Sequence, residues 1–235
     1  AEHLALPPAA CAGDGIRLGE SAGRRLVTDL ASPVAWAPVS RVIHGDGSVG
    51  HFPHIIDRGK PGVIGVLANG KRFVNEAGGY HDYTAAMVAA APEGQEVASW
   101  LVCDHRFQRR YGLGHAKPFP LPVAPFVRSG YLQRADSIEA LATRCGIAPE
   151  ALARTVDAYT AHARRGEDPE FGRGTTPYNR RQGDALYDGP NPCVAPIERA
   201  PFYAVKVQPG SFGTFAGLKT NGSALTGGTT REHSS

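Results

Sequence analysis

Residues 75–83 hold the densest group of side chains that could perform chemistry. In this stretch Glu76 is followed by Tyr80, His81 and Tyr83. A tyrosine can accept or donate a proton when its surroundings bring its pKa down from about 10. Loops that rigid elements hold in place are common positions for catalytic groups. The spacing alone leaves a second interpretation open, in which both tyrosines are packing residues with hydroxyls at the surface.

A second candidate is the turn formed by Gly13, Asp14 and Gly15, which directly precedes a predicted helix rich in small residues. The free N–H groups at a helix N-terminus, together with a carboxylate, can face a polar ligand. The alternative is an ordinary helix cap with no ligand.

Several common chemistries lack their sequence patterns. The sequence has no Gly-x-Gly-x-x-Gly after a strand and no phosphate-binding loop, so it contains no complete nucleotide cradle. His51 and His54 lie three residues apart, but Pro53 prevents one shared helical face, and we predict no metal. No Gly-x-Ser-x-Gly turn supports a serine hydrolase.

Segment 75–83 is expected to follow a β-hairpin and to lead into a helix. Residues 62–67 and 72–74 have the character of two strands around Asn-Gly at 69–70, a pair that supplies the positive φ angles of a tight turn. A helix is expected over residues 82–91. The predicted hairpin would therefore fix one end of the reactive stretch.

The remaining pattern predicts an α+β fold, with helices beside a small antiparallel sheet. A capping box at residues 136–139 starts one helix, and Pro149 opens a second with apolar residues at helical spacing. Those apolar residues are Leu152, Val156, Tyr159 and Ala163. Strands are expected over 97–103 and 202–207. Residues 31–62, which contain four prolines, are expected to form a long irregular connection.

The composition fits an ordinary globular protein and argues against two classes of partner. Apolar residues make up 42% and charged residues 20%, and the net charge of +3 is not concentrated in a basic block that would indicate nucleic acid binding. No apolar run approaches the roughly 18 residues of a membrane helix. Four well-separated cysteines predict reduced thiols and a cytoplasmic location. The only methionine is Met87, so the chain is expected to be processed or cut from something longer.

Four segments resemble motifs of the flavoprotein family that contains fumarate reductase, succinate dehydrogenase and 3-ketosteroid Δ1-dehydrogenase. They occur in the family's order and span nearly the whole chain. The segments are residues 70–76 (G-[KR]-R-F-x-N-E), 12–16 (T-G-D-G), 201–205 (P-F-Y-A) and 213–218 (G-T-x-G-G-L).

The resemblance implies parts of two domains. Residues 1–40 resemble a remnant of a Rossmann-type FAD domain, 41–205 a capping (substrate) domain, and 206–235 the start of the return to the FAD domain with a polar tail. The family's N-terminal Gly-x-Gly-x-x-Gly and its C-terminal flavin-covering segment are not in this sequence. FAD is therefore expected in the full-length protein and absent from this fragment, which alone is expected to be inactive.

The ketosteroid-dehydrogenase branch matches better than the fumarate reductases. Fumarate reductases carry adjacent histidines where this chain has Phe212 and Gly213. Ketosteroid dehydrogenases carry a catalytic tyrosine four residues after the signature glutamate, and Tyr80 occupies that position. The resemblance thus implies Tyr80 as acid/base, with Glu76 and His81 as neighbours that tune it.

Gly13, Asp14 and Gly15 are the FAD contacts that the resemblance implies. The implied reaction is oxidation or reduction of a CH–CH bond next to a carbonyl in a small apolar, steroid-like substrate. The alternative is a non-catalytic module derived from a cap, which binds an apolar ligand or a partner.

Overall fold

The computed structural model describes residues 3–221 and residue 223, and these form two compact units. The first unit comprises residues 3–4 and Trp36–Gly210. The second comprises Ala5–Ala35 and the described residues from Ser211 onward. Most of the predicted polar tail lies outside the described residues. The assignment of the units to a capping domain and an FAD domain stays a prediction.

Strands and helices are interspersed along the described chain. The strands are β1 (Leu4–Ala5), β2 (Leu26–Val27), β3 (Val34–Ile43), β4 (Val49–Pro53), β5 (Val63–Val66), β6 (Ser99–Cys103), β7 (Leu132–Ala135), β8 (Phe202–Thr214) and β9 (Gly217–Leu218). The helices are α1 (Asp14–Ser21), α2 (Tyr80–Ala90), α3 (His105–Tyr111), α4 (Ala124–Arg128), α5 (Ile138–Cys145), α6 (Pro149–Ala163) and α7 (Pro177–Gln182). A 3₁₀ turn, Asp57–Gly59, precedes β5. The mixed helix-and-strand composition that the sequence predicted is therefore confirmed.

The sheet of the first unit has the strand order β4-β3-β8-β6-β5, and β7 also pairs with β8. The β3–β4, β5–β6, β6–β8 and β7–β8 pairs are antiparallel. In the second unit β2 pairs with β9, also antiparallel. The small antiparallel sheet predicted from the sequence is confirmed.

Both faces of the sheet around β5, β6 and β8 are buried. Successive side chains of a strand point to opposite faces, and here each set meets a different group of helices. Ile64, Val102 and Ala204 belong to one core cluster, which includes buried residues of α5 and α6. Val63 and Leu101 belong to the other, with Tyr83 of α2 and Phe107 of α3. This two-sided burial explains why β6 is almost continuously apolar.

Helices α5 and α6 follow the sequence pattern closely. The Ser137 hydroxyl accepts a hydrogen bond from the Ala140 amide at 3.1 Å, so the helix cap is Ser137. Gly146 ends α5 in the left-handed region at φ 68°. The predicted apolar stripe of α6 is confirmed, since all four of its residues are buried. They are Leu152, Val156, Tyr159 and Ala163.

The predicted β-hairpin at Asn69-Gly70 is wrong in its second strand. The turn forms, with Gly70 at φ 75°, but only an isolated bridge between Val66 and Arg72 follows it. The chain leaves the sheet there because the Arg72 side chain enters a buried cluster of charges with Glu76. The ladder of β5 is formed with β6 instead.

The prediction of an irregular connection over residues 31–62 is also wrong, because β3 and β4 form a hairpin there. Their ladder runs from Val39 opposite Pro53 to Ile43 opposite Val49. Pro38 stands just outside this ladder and Pro53 at its last pair, so neither proline interrupts it. The Pro38 carbonyl accepts a hydrogen bond from the His54 amide at 2.8 Å.

Candidate functional site

Two arginines and two carboxylates form a buried cluster that includes Glu76 of segment 75–83. Arg72 donates to both oxygens of Glu76, at 2.9 and 2.7 Å, and to both oxygens of Asp168, at 2.6 and 2.8 Å. Arg173 adds a bond to Glu76 at 3.3 Å. The side chains of Arg72, Glu76 and Arg173 are at most 1% exposed. Paired charges of this kind hold their surroundings in one geometry, because breaking a pair leaves an uncompensated charge.

The Glu76 carboxylate is fully engaged within this cluster. The Gly65 amide also donates to it, at 3.0 Å. Burial by itself would raise the pKa of Glu76, but the guanidinium groups of Arg72 and Arg173 outweigh it and lower the pKa. An ionised carboxylate held by arginines is a structural anchor. The tuning role that the resemblance implied for Glu76 stays a prediction.

Two further side chains hold the backbone between Glu76 and Tyr80. Arg58, 1% exposed, donates to the carbonyl of Glu76 at 2.7 Å and to that of Gly78 at 3.5 Å. Asn179 donates to the carbonyl of Ala77 at 3.0 Å. Three consecutive carbonyls are thus fixed just before Tyr80. A segment with an otherwise irregular backbone gains the rigidity that a catalytic position requires.

Tyr80 is the first residue of α2, two residues earlier than the predicted helix start. Its side chain is 37% exposed, and its carbonyl accepts a bond from the Thr84 hydroxyl at 3.1 Å. Tyr83 differs completely, since it is fully buried and its hydroxyl lies 3.0 Å from that of Ser99. Burial raises the pKa of Tyr83. Of the two phenols, only that of Tyr80 can meet a substrate. His81, beside it, is half-buried.

The residues predicted to contact FAD lie in the second unit. Gly13 precedes α1 in the left-handed region at φ 81°, and Asp14 forms the first turn with an ion pair to Arg17 at 3.4 Å. The Asp14 side chain is 72% exposed. A Cβ atom built at Gly13 or Gly15 would meet nothing within 4 Å, so this backbone is open to a ligand. The assignment of these three residues as FAD contacts stays a prediction.

Sequence reasoning missed a buried chain of hydrogen bonds in the first unit. His54 lies 2.7 Å from Asp57 through Nδ1 and 2.9 Å from the Ser40 hydroxyl through Nε2. That hydroxyl also lies 2.8 Å from the hydroxyl of Tyr131. The order Ser–His–Asp resembles a hydrolase triad, but Ser40 is 1% exposed and bonded on both sides. It cannot reach a substrate.

These hydrogen bonds instead fix the 3₁₀ turn that carries Arg58. Asp57 opens the turn, and its carboxylate also accepts from the Gly114 amide at 3.2 Å. Burial by itself would raise the pKa of Asp57, but His54, Arg58 and the Gly114 amide together outweigh it and lower the pKa. The only sign of these hydrogen bonds in the sequence was that His54 and Asp57 lie three residues apart. Ser40 and Tyr131 are distant from both along the chain.

The described residues contain no group of three or more His, Cys, Asp or Glu side chains arranged to hold a metal ion. Across the same residues, no helix is long and apolar enough to cross a membrane. The four cysteines, all within the described residues, form no disulfide with one another. Cys11 is exposed, whereas Cys103, Cys145 and Cys193 are buried.

The stability of the first unit is expected to fall in acid. The pKa values of Glu76, Asp168 and Asp57 are all lowered in the folded chain. Their stabilisation is therefore complete above the unfolded carboxyl pKa of about 4 and is lost as the pH falls through the folded values. Urea unfolding at pH values from 7 to 3 should show this loss.

Two substitutions provide the matched comparison. Glu76→Gln should be less stable at pH 7 and should show a flatter acid dependence than the wild type. Glu96→Gln, which removes an exposed partner of Lys206, should keep the wild-type slope. Equal urea midpoints for the wild type at pH 7 and pH 3 would contradict the assignment.

The sequence profile of the family described as "FAD binding domain" matches residues 1–234. A 4-oxocyclohex-2-ene-1-carboxylate 5-dehydrogenase of Sinomonas cyclohexanicum is 40% identical over 213 residues, which cover 91% of this chain and 36% of that protein. A 3-oxosteroid 1-dehydrogenase of Mycobacterium tuberculosis is 32% identical over 220 residues, with coverage of 91% and 38%.

A solved structure agrees with these relatives. The 3-ketosteroid Δ1-dehydrogenase of Sterolibacterium denitrificans, in complex with 1,4-androstadiene-3,17-dione, superposes with a TM-score of 0.80 at 33% identity. The match covers 93% of this chain and 38% of that one. The chain therefore spans a little over a third of the length of the relatives that it matches.

Proposed function

Because this chain belongs to the FAD-binding domain family, we propose that it is the substrate-covering part of a flavin-dependent dehydrogenase that acts on a cyclic ketone. The observation that carries the proposal is the placement of Tyr80. Its phenol is accessible at the start of α2, directly after backbone that Arg58 and Asn179 hold by three carbonyls. A fixed and accessible phenol is suited to proton transfer.

The bond attacked is a CH–CH bond next to the carbonyl. The hydrogen on the carbon beside a ketone is acidic, because its removal gives an enolate. Tyr80 takes that proton as the general base. FAD, which Gly13, Asp14 and Gly15 would contact, would supply the hydride-accepting chemistry at the neighbouring carbon. Glu76 acts at a distance, as the anchor of the segment that ends at Tyr80.

The flavin contact of this chain is assigned to Asp14, with Gly13 and Gly15 beside it. Their open backbone and exposed carboxylate support this assignment. The chain alone would offer only this edge, so tight FAD binding is expected to require the remainder of a full-length protein.

A cyclic ketone is the substrate class that the names of the two relatives described above have in common. One name specifies a 4-oxocyclohexene carboxylate and another a 3-oxosteroid. We therefore propose a ring ketone with a dehydrogenated ring as product, and include steroids in that class. A cap-derived module without catalysis is the alternative that the following experiment separates.

A full-length, FAD-loaded protein that carries this sequence should be reduced by ring ketones in a rapid-mixing experiment. Flavin absorbance should bleach with 4-oxocyclohexanecarboxylate or with a 3-oxosteroid. Cyclohexanecarboxylate is the control, because without the ketone its C–H bonds are not acidified. If dithionite reduces the flavin but no ring ketone does, the proposal fails and the binding-module alternative takes its place.

A further inference from the structure

A second cleft of the first unit has the features of a ligand site that is separate from Tyr80. Its volume is about 580 Å³, within the usual range for small-molecule sites. None of the residues assigned above to catalysis or to FAD contact contributes to its lining. Four arginines do, namely Arg106, Arg109, Arg110 and Arg199.

Two of these arginines are neutralised by the protein itself. Arg106 lies 3.2 Å from Asp104 and 3.5 Å from Glu198. Arg110 lies 2.7 Å from Asp184 and donates to a backbone carbonyl at 2.9 Å. Both side chains are therefore held as walls of the cleft, and their charges are largely compensated.

The other two arginines keep uncompensated charge. Among the described residues, no carboxylate lies within ion-pair distance of Arg109 or Arg199. The guanidinium of Arg109 lies over the ring of Phe119, 4.0 Å from its centroid. This stacking fixes the plane of the guanidinium and leaves its N–H groups available. A planar guanidinium with open donors is suited to bind a carboxylate or phosphate.

Apart from His105 and Asp104, which is paired with Arg106, the rest of the lining is apolar and aromatic. Phe107 and Tyr187 line the cleft with Phe119, whose side chain is 62% exposed. Pro61 and Pro196 add to the apolar surface. A ligand complementary to both the uncompensated arginines and the apolar lining carries a negative charge at one end and a flat apolar body at the other.

We propose that this cleft binds an organic anion with a flat apolar body, and that Arg109 and Arg199 hold its charged group. The negative group can be a carboxylate or a phosphate, since a guanidinium binds both. The site is independent of the redox reaction proposed above, so it can be tested without turnover.

Calorimetric titration of the full chain with three matched probes tests the proposal. The probes are 2-naphthoate, 2-naphthyl phosphate and the neutral 2-naphthamide. At least one anion should bind, the amide should bind far more weakly, and added salt should weaken anion binding. The tighter of the two anions identifies the charged group. Equal binding of 2-naphthamide and 2-naphthoate would mean a merely apolar cleft and would overturn the proposal.

Substitution of the two arginines completes the test. The double variant Arg109→Gln, Arg199→Gln should bind the preferred anion at least about tenfold more weakly, which corresponds to about 1.4 kcal/mol. Arg128→Gln is the control, because Arg128 is an exposed arginine of α4 outside the cleft. Wild-type affinity in the double variant, with an unchanged thermal midpoint, would also overturn the proposal.

Discussion

Tyr80→Phe in a full-length, FAD-loaded protein is expected to lower the rate of flavin reduction by roughly 10²- to 10⁴-fold, the usual contribution of a positioned acid or base. FAD binding and substrate affinity should change little, because the ring of Tyr80 remains in place. The measurement is the rapid-mixing rate with a ring ketone across a range of pH.

Two other tyrosines provide controls for this effect. Tyr178→Phe changes a phenol of α7 that is 49% exposed and should leave the rate unchanged. Tyr83→Phe removes the buried contact with Ser99, which should lower the free energy of unfolding by about 1 kcal/mol without a comparable loss of rate. If Tyr80→Phe reduces its flavin as fast as the wild type does, Tyr80 is a packing residue.

Glu76→Ala is expected to cause the largest loss of stability. Removal of this carboxylate leaves Arg72 and Arg173 buried with an uncompensated charge, and breaking such a pair costs about 3–5 kcal/mol. Since a domain has about 5–15 kcal/mol in total, the variant should lie close to unfolding. Urea denaturation gives the change in the free energy of unfolding.

The exposed pair of Glu96 and Lys206, 2.7 Å apart, provides the matched control. Glu96→Ala should cost less than about 1 kcal/mol, because solvent already screens this pair. If Glu76→Ala does not fold, Glu76→Gln retains the shape of the side chain and allows the measurement. A loss below about 1 kcal/mol in either Glu76 variant would contradict a structural role for the cluster, given the cost of a broken buried pair.

Local patterns in the sequence predicted local structure well. The stripe of α6 and the position of β6 followed from residue spacing, because burial on one helix face or in a strand leaves a direct periodic record. The β3–β4 hairpin was missed because its prolines suggest a loop. These prolines are compatible with the hairpin only because they lie at the ends of the ladder. The register of that ladder depends on strand pairing, which cannot be inferred from the sequence.

The contacts that hold the segment before Tyr80 were also missed, but for a different reason. Arg72 meets Asp168 across 96 residues of sequence, and Ser40 meets Tyr131 across 91. No spacing rule links residues so far apart. The sequence therefore indicated Tyr80 through its resemblance to known enzymes, but not Arg58, Asn179 and Arg173, which hold the surrounding backbone. Glu76 was indicated as a neighbour that tunes Tyr80, but the sequence did not show that buried arginines hold its carboxylate.

One cysteine is exposed and three are buried, so the rate at which each buried thiol reacts would report local unfolding around it. Thiolates react with alkylating reagents, and burial raises the pKa of Cys103, of Cys145 to about 12, and of Cys193. A brief pulse of reagent should modify the exposed Cys11 immediately. The other three should gain mass only when β6, the end of α5 or the loop before β8 opens. Mass spectrometry of each peptide would then give three local opening rates from one unmodified protein, with no introduced label.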